Sequence, residues 1–401
     1  MNKQKEIIVM LKCASIFTYE VDDPEAALEQ IKAQLDEKLS LLEHSAGIIM
    51  CHPEFIASGV AMHICEQLPF EVAGGTTSAQ AANSEFAELI LTIFVMTSDD
   101  VWFKAGMTGC LEETIDGPVK TAFEGAIMGA SAPPGLALLF LPLIPKYSGD
   151  SYVTAVQKVI PNVPLFGPIT VDDTLTYEST RTIYNGENHK TAMSFVLCYG
   201  NIKPRFIIGT FPDDKVMPYK KGEVTKSRGP LVYEINNISA YKYFESIGFV
   251  DKDGFAQSFN LVPFMVKQKK RADYDGIPVI RGIATFNEDG AAFFRGDVDE
   301  GSTFTIAVSE AEDALSETRK KLEQINTLPD VNGALIFSCL GRRIMIMHIN
   351  PVLELEIAKD TVNPEIPFTM GYAGGEISPT SVTNGIPTNV FHNFSLIILV
   401  V

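Results

Sequence analysis

Two short runs of the chain carry residue types that can hold a small polar ligand. Gly74-Gly75-Thr76-Thr77-Ser78 follows the strand-like segment Pro69-Phe70-Glu71-Val72-Ala73. Gly374-Gly375-Glu376 follows Pro367-Phe368-Thr369-Met370-Gly371-Tyr372-Ala373. Glycine at a strand end permits a positive φ, or lets another group reach the backbone. The first run offers free backbone N–H groups and three hydroxyls, which suit a carboxylate or phosphate oxygen. Its plain alternative is a polar turn. It is not a P-loop, because no lysine follows the glycines at the needed spacing. Glu376, if buried, needs a cation or donors, and a ligand's ammonium or Arg342 would serve. The alternative is a solvated loop carboxylate. A third stretch of the same grammar is Pro164-Leu165-Phe166-Gly167-Pro168-Ile169-Thr170.

Cysteine is the other reactive type. Cys13, Cys51, Cys65, Cys110, Cys198 and Cys339 are scattered, with no C-x-x-C pair, so neither a disulfide framework nor a zinc site is signalled. Cys51 and Cys339 both end apolar runs. Buried cysteine usually behaves as a small hydrophobe. Cys339 acts as a nucleophile only if its pKa is depressed, and Arg342 and a following helix start are the groups that would do so. Cys51-His52 is not a dyad, since neighbours on a strand point to opposite faces. His52, His63 and Cys65 lack the spacing of metal ligands. No metal and no cofactor are expected.

Elements that position these residues follow from periodicity. Residues 6–17 read as a strand. Asp23 caps a helix with Pro24 at its first position, and Leu28, Ile31, Leu35, Leu39 and Leu42 form its inner face, with Ser45-Ala46-Gly47 ending it. Ile48–Cys51 is a buried strand, and 55–68 a helix weakened by Gly59. The runs at 88–97 and 101–107 read as paired strands around Ser98-Asp99-Asp100. A small-residue helix at 111–131 would allow close approach of a neighbour. A strand at 136–141 and a helix at 151–159 follow. The signal is β from 180 to 235. Residues 211–230, rich in proline, glycine and lysine, are the expected boundary between domains 1–229 and 230–401. The second part reads as a strand at 231–235, a helix at 239–247, and strands near 262–266, 278–286, 291–296 and 303–308. Asn287-Glu288-Asp289-Gly290 is a hairpin turn, and Ser309 with Glu312 a capping box. A strand at 334–339, a helical region broken by Pro351 and a last strand at 396–401 complete it.

The order helix, strand ending on cysteine, helix, Pro-Phe and Gly-Gly occurs twice. The fold class is therefore α/β, with α+β as the alternative: internally duplicated strand-helix-strand modules forming mixed sheets covered by helices. Ligands of open α/β sheets sit beyond such strand ends.

The whole chain has 401 residues, 46% hydrophobic and 20% charged, and a net charge of −18. That charge argues against nucleic acid and anionic membranes as partners. The longest apolar run, 135–144, is too short to span a bilayer. The apolar stretch 7–17 is followed by Asp22-Asp23-Pro24 rather than a cleavage site, so it is not read as a signal peptide. A cytoplasmic protein with reduced thiols is expected.

Phe337-Ser338-Cys339-Leu340-Gly341-Arg342 resembles the FSC-x-GR element of FIST-domain proteins. Gly371-Tyr372-Ala373-Gly374-Gly375-Glu376-Ile377 resembles their Gly-aromatic-x-x-Gly-Glu-Ile element, and His392-Asn393 fits the lead into their last strand. Gly74-Gly75-Thr76-Thr77 resembles the Gly-Cys-Ser-Thr element of the N-terminal domain, with Gly75 where the family usually has cysteine. Arg343 and a proline in the following helix also depart from the pattern. The resemblance implies a stand-alone prokaryotic sensory module that binds a small ligand such as an amino acid. With no room for an F-box, kinase or cyclase output, it would signal through a partner in trans. Its ligand would lie among Gly74, Gly75, Thr76, Thr77, Cys339, Arg342, Gly374, Gly375 and Glu376. The alternatives are a cysteine-dependent enzyme using Cys339 and a protein-interaction scaffold.

Overall fold

The computed structural model describes residues 11–174, 176–210, 216–250, 264–267, 279–307 and 310–401. Residues 6–10 of the first expected strand lie outside these, as do 211–215, 262–263, 278, 308 and Ser309.

The chain repeats one unit three times. The first copy runs β1 (Leu11–Thr18), α1 (Pro24–Lys38), β2 (His44–Cys51), α2 (Glu54–Ala57), α3 (Val60–Gln67), β3 (Glu71–Thr76), a hairpin of β4 (Gln80–Ala82) and β5 (Glu85–Ala87), and β6 (Leu91–Ser98). The second runs β7 (Val101–Met107), α4 (Asp116–Ile127), β8 (Leu136–Phe140), α5 (Gly149–Val159), β9 (Leu165–Pro168), a hairpin of β10 (Thr182–Tyr184) and β11 (Glu187–His189), and β12 (Ser194–Gly200). The third opens with β13 (Arg205–Gly209). It is then interrupted by β14 (Val216–Arg228), β15 (Leu231–Ile235), β16 (Ile238–Ser239), α6 (Ala240–Ser246), β17 (Phe264–Lys267), β18 (Val279–Arg281), β19 (Ile283–Phe286), β20 (Ala292–Phe294) and β21 (Thr303–Ala307). It resumes with α7 (Ala311–Ile325), β22 (Ala334–Cys339), α8 (Leu340–Ile346), α9 (Leu353–Thr361), β23 (Phe368–Ala373), a hairpin of β24 (Glu376–Thr383) and β25 (Ile386–His392), and β26 (Leu396–Val400).

The sheets show the repetition directly. Their orders are β1-β6-β2-β3-β10-β11, β7-β12-β8-β9-β24-β25 and β13-β26-β22-β23-β4-β5. Each unit therefore lends its hairpin to another unit's sheet, in cyclic order. The expected duplication extends to a third copy, and the 164–170 stretch is its junction. In each sheet the middle pair is parallel, β2 with β3, β8 with β9 and β22 with β23.

Side-chain alternation sets the layers. Ile48 and Met50, Leu138 and Phe140, and Leu335 and Phe337 point inward to one central core shared by the three sheets. The intervening Ile49, Leu139 and Ile336 point outward, each onto the helices of its own unit. Gly74 and Gly167 occupy one position in this repeat. A Cβ on Gly74 would lie 1.8 Å from the Ile49 carbonyl oxygen, and one on Gly167 1.8 Å from that of Leu139. Here glycine lets two strand backbones meet.

Several local expectations change. α1 ends at Lys38, because Leu39 is already extended (φ −146°, ψ 121°), and Ser45-Ala46-Gly47 lie inside β2. Gly59, at φ +85°, splits the 55–68 helix into α2 and α3. β6 and β7 do not pair with each other: β6 joins β1 and β2, whereas β7 joins β12. The Ser98 hydroxyl accepts from the Asp100 and Val101 amides at 3.0 Å and turns the chain into the next sheet. α4 brings no neighbour close at Gly125, whose missing Cβ faces open space. The capping box of α7 uses Glu310 and Asp313, one residue later than expected. Asn287–Gly290 does form the hairpin turn, closed by the Gly290 amide on the Asn287 carbonyl at 2.9 Å. The expected division at 229/230 falls at the turn between β14 and β15, which are antiparallel partners.

Candidate functional site

The three strand-end junctions converge. The Val171 amide donates to the Thr76 carbonyl (3.2 Å), the Ile169 amide to Gly375 (2.9 Å) and the Gly374 amide to Ile169 (2.9 Å). The Thr77 hydroxyl accepts from the Tyr372 amide (3.0 Å) and donates to the Tyr372 carbonyl (2.9 Å). The two Gly-Gly stretches thus stand side by side, with 169–171 between them.

This closeness occupies the groups expected to bind a ligand. The Thr76 amide bonds the Arg181 carbonyl at 2.9 Å and the Thr77 amide the Cys51 carbonyl at 3.0 Å. The Thr76 hydroxyl accepts from the Arg181 amide at 3.0 Å. Gly74 and Gly75 lie inside β3, paired to β2 and β10. The free N–H groups read from the sequence are therefore satisfied within the chain. The Cβ spaces of Gly75, Gly374 and Gly375 are filled by Thr170, Val171 and Phe391.

The open chemistry lies at Cys339 and Glu376. Cys339 follows Leu335 and Phe337 along the inward side of β22. Ile377 packs outward on β24, so Glu376 also turns inward, toward Cys339. Glu376 is fully buried, and the Ser395 hydroxyl donates to its Oε2 at 2.6 Å. Among the described residues its Oε1 meets no N–H or O–H donor, and Asn393 Oδ1 and Ser78 Oγ are likewise buried without a partner. Burial holds the Glu376 carboxyl well above the usual carboxylate range, against the pull of Ser395, Cys339 and Arg342. Burial also pushes the Cys339 thiol up, and Glu376 adds to this, while the amides of Gly341 and Phe394 pull it back in part. A buried thiol raised in this way is the opposite of an activated nucleophile.

Arg342 does not pair with Glu376. Its Nη2 and Nε hold Glu354 Oε1 at 3.0 and 3.1 Å, and its Nη2 reaches the Thr318 hydroxyl at 2.6 Å. Glu354 also accepts from Ser338 at 2.7 Å, on the outward side of β22. The alternation that sends Cys339 inward puts Ser338 against α9, and Arg342 turns with it.

Three further residues reach this site and have no spacing signal. Tyr177 lies within electrostatic reach of Arg295, Cys339 and Asp172. It stands at φ +55°. Beside it, Asp172 accepts from the Thr174 (2.8 Å) and Ser179 (2.9 Å) amides. Arg295 follows β20, in the segment that interrupts the third unit, and makes no ion pair among the described residues. Distant stretches meet here only through the fold. No group of three His, Cys, Asp or Glu among the described residues could hold a metal ion.

The FIST N domain model matches residues 45–238, and the FIST C domain model matches residues 240–379. The chain belongs to the FIST family. FIST domains are sensory domains that bind small ligands in signalling proteins. Among solved structures, this FIST protein is similar to a cyanuric acid hydrolase from A. caulinodans at 10% identity and a TM-score of 0.33, over 98% of this chain and 99% of that one. No curated protein sequence matches it. Among the described residues, no helix of this FIST chain is long and apolar enough to cross a membrane.

Proposed function

We propose that this FIST protein senses a small zwitterion, an amino acid, in the space bounded by Glu376, Cys339, Asn393, Tyr177 and Arg295. One observation carries the reading: Glu376 Oε1 is wholly buried, meets no N–H or O–H donor among the described residues, and belongs to a carboxyl that burial holds well above the usual carboxylate range. Leaving such a group without a partner costs about 1–3 kcal/mol, which a ligand can recover. The ligand's ammonium supplies the missing partner, and Glu376 ionises as it binds. The ligand's carboxylate goes to Arg295, not to the Gly74–Thr77 run, whose donors are already taken. The signal passes to a partner in trans, and the net charge of −18 favours one with a basic face.

Thermal denaturation against a panel of amino acids tests this. Ligand at ~100 times Kd adds about 2.7 kcal/mol of stability. The shift is expected for one chemical group of side chains and is lost in Glu376→Gln and Arg295→Gln. A panel without any shift, or a shift that both variants retain, contradicts the site.

A further inference from the structure

A cleft of about 680 Å³ opens between the first and third units, inside the size range of small-molecule sites. Ala14 and Ser15 of β1 form one wall. Pro367 and Phe368 form the other, and Lys38 and Lys359 approach from the last turns of α1 and α9. The Ser15 hydroxyl meets the Thr369 hydroxyl at 2.9 Å beside it.

The threefold repeat supplies a comparison inside the same molecule. The junction between the first and second units is built from equivalent residues. Asn185 of the β10–β11 turn accepts from the Val72 amide (2.8 Å), as Asn83 of the β4–β5 turn accepts from Phe368 (3.3 Å). That register makes Glu71 the equivalent of Pro367. Strand pairing makes Lys104 and Ala105 the equivalents of Ala14 and Ser15 in the repeat. At the first junction the space is filled: Glu71 accepts from the Ala105 amide (2.9 Å), the Tyr184 hydroxyl (3.2 Å) and Lys104 (3.3 Å). At the second, Pro367, Ala14 and Ser15 leave it empty of both the carboxylate and its lysine.

Positive charge is nevertheless delivered there from elsewhere. Lys38 donates to the Ser15 carbonyl at 3.0 Å and lies 5.7 Å from the Phe17 ring centroid. Lys359 lies 5.3 Å from the Phe86 ring centroid. Neither has an ion-pair partner among the described residues, in a chain of net charge −18. Burial lowers the Lys38 pKa, and Glu37 pulls it back only in part. Among the described residues, Glu365 is the one carboxylate lining the cleft.

We infer that this cleft binds a small organic carboxylate, whose carboxyl takes the place that Glu71 fills at the equivalent junction. Lys38 and Lys359 neutralise it, the Ser15 amide stands where the Ala105 amide donates, and its apolar body lies on Val362, Pro364 and Phe368. This site is separate from the Glu376 site and does not depend on it.

Benzoate, benzyl alcohol and inorganic phosphate, titrated into the full chain by NMR or calorimetry, test the inference. Benzoate is expected to bind at least about tenfold more tightly than either of the others, since charge and apolar contact act together. Lys38→Gln and Lys359→Gln each weaken benzoate by about tenfold. Pro367→Glu with Ala14→Lys rebuilds the filled junction and abolishes binding in a folded protein. Benzoate binding no better than benzyl alcohol or phosphate, or persisting in the rebuilt variant, overturns the inference.

Discussion

Burial raises both the Cys339 thiol and the Glu376 carboxyl above their ordinary ranges. Glu376 adds to the cost of ionising the thiol, whereas the thiol pulls the Glu376 carboxyl back in part. Iodoacetamide at neutral pH should therefore leave Cys339 unlabelled in the native protein and label exposed Cys110, as intact mass and peptide mapping would show. Labelling of native Cys339 at the rate of a free thiol would restore the nucleophile reading. Glu376 also gives a pH signature. Its folded pKa lies above its unfolded one, so the folded state keeps a proton that the unfolded chain has released. Stability tied to this group is present below about pH 4 and falls as pH rises. Glu376→Gln should gain Tm relative to the native protein between pH 5 and pH 8. An unchanged difference across that window would show that the carboxyl is already ionised.

At the level of elements, the strands were legible because their apolar residues carry the layers. Ile48-Ile49-Met50-Cys51 and Ala334-Leu335-Ile336-Phe337 alternate between the central core and the helix layer. The end of α1 was not legible, since Leu39 and Leu42 continue the helical spacing while the chain has already turned extended. Nor could the pattern show that β6 and β7 enter different sheets, because both are apolar and the serine-aspartate turn between them fits either path. The glycines divide by what surrounds them. Gly74→Ala or Gly167→Ala should cost about 3 kcal/mol or more, because the added carbon meets a backbone carbonyl. Gly125→Ala, in the last turn of α4 with open space around it, should stabilise by about 0.5–1 kcal/mol. Urea midpoints at unchanged m would check both. A mild cost at Gly74 and Gly167 would mean that the strand pairs are not packed as closely as described.

Across the whole molecule, three units surround one core, and the interrupting segment of the third is clamped to the second. Arg281 of β18 pairs with Asp150 of α5 at 3.1 Å, both fully buried, and donates to the Phe391 carbonyl at 2.7 Å. The next residue, His392, has its pKa lowered to about 4, first by burial and then by Arg281, with Ser378 and Asp150 pulling it back. It is neutral in the fold and charges on unfolding below its ordinary pKa. Its contribution is present above about pH 6.5 and is lost as pH falls toward 4, on the order of 3 kcal/mol in total. His392→Gln should flatten the acid limb of the stability profile, as urea titrations at pH 7 and pH 4.5 would read. An unchanged limb would place acid sensitivity elsewhere. The sequence carried the family elements and the Glu376 junction. It could not carry the meeting of Tyr177, Arg295 and Cys339, since that depends on hairpins exchanged between units and on a segment inserted into the third.

Calorimetric titration of the tightest-binding amino acid, run at pH 7 in phosphate and in Tris, tests the central claim. The buffers differ in ionisation enthalpy, so the difference in heat counts protons. If the ligand's ammonium displaces the proton of buried Glu376, binding releases about one proton, and Glu376→Gln releases none. Binding without proton release, or release that survives in Glu376→Gln, would contradict it.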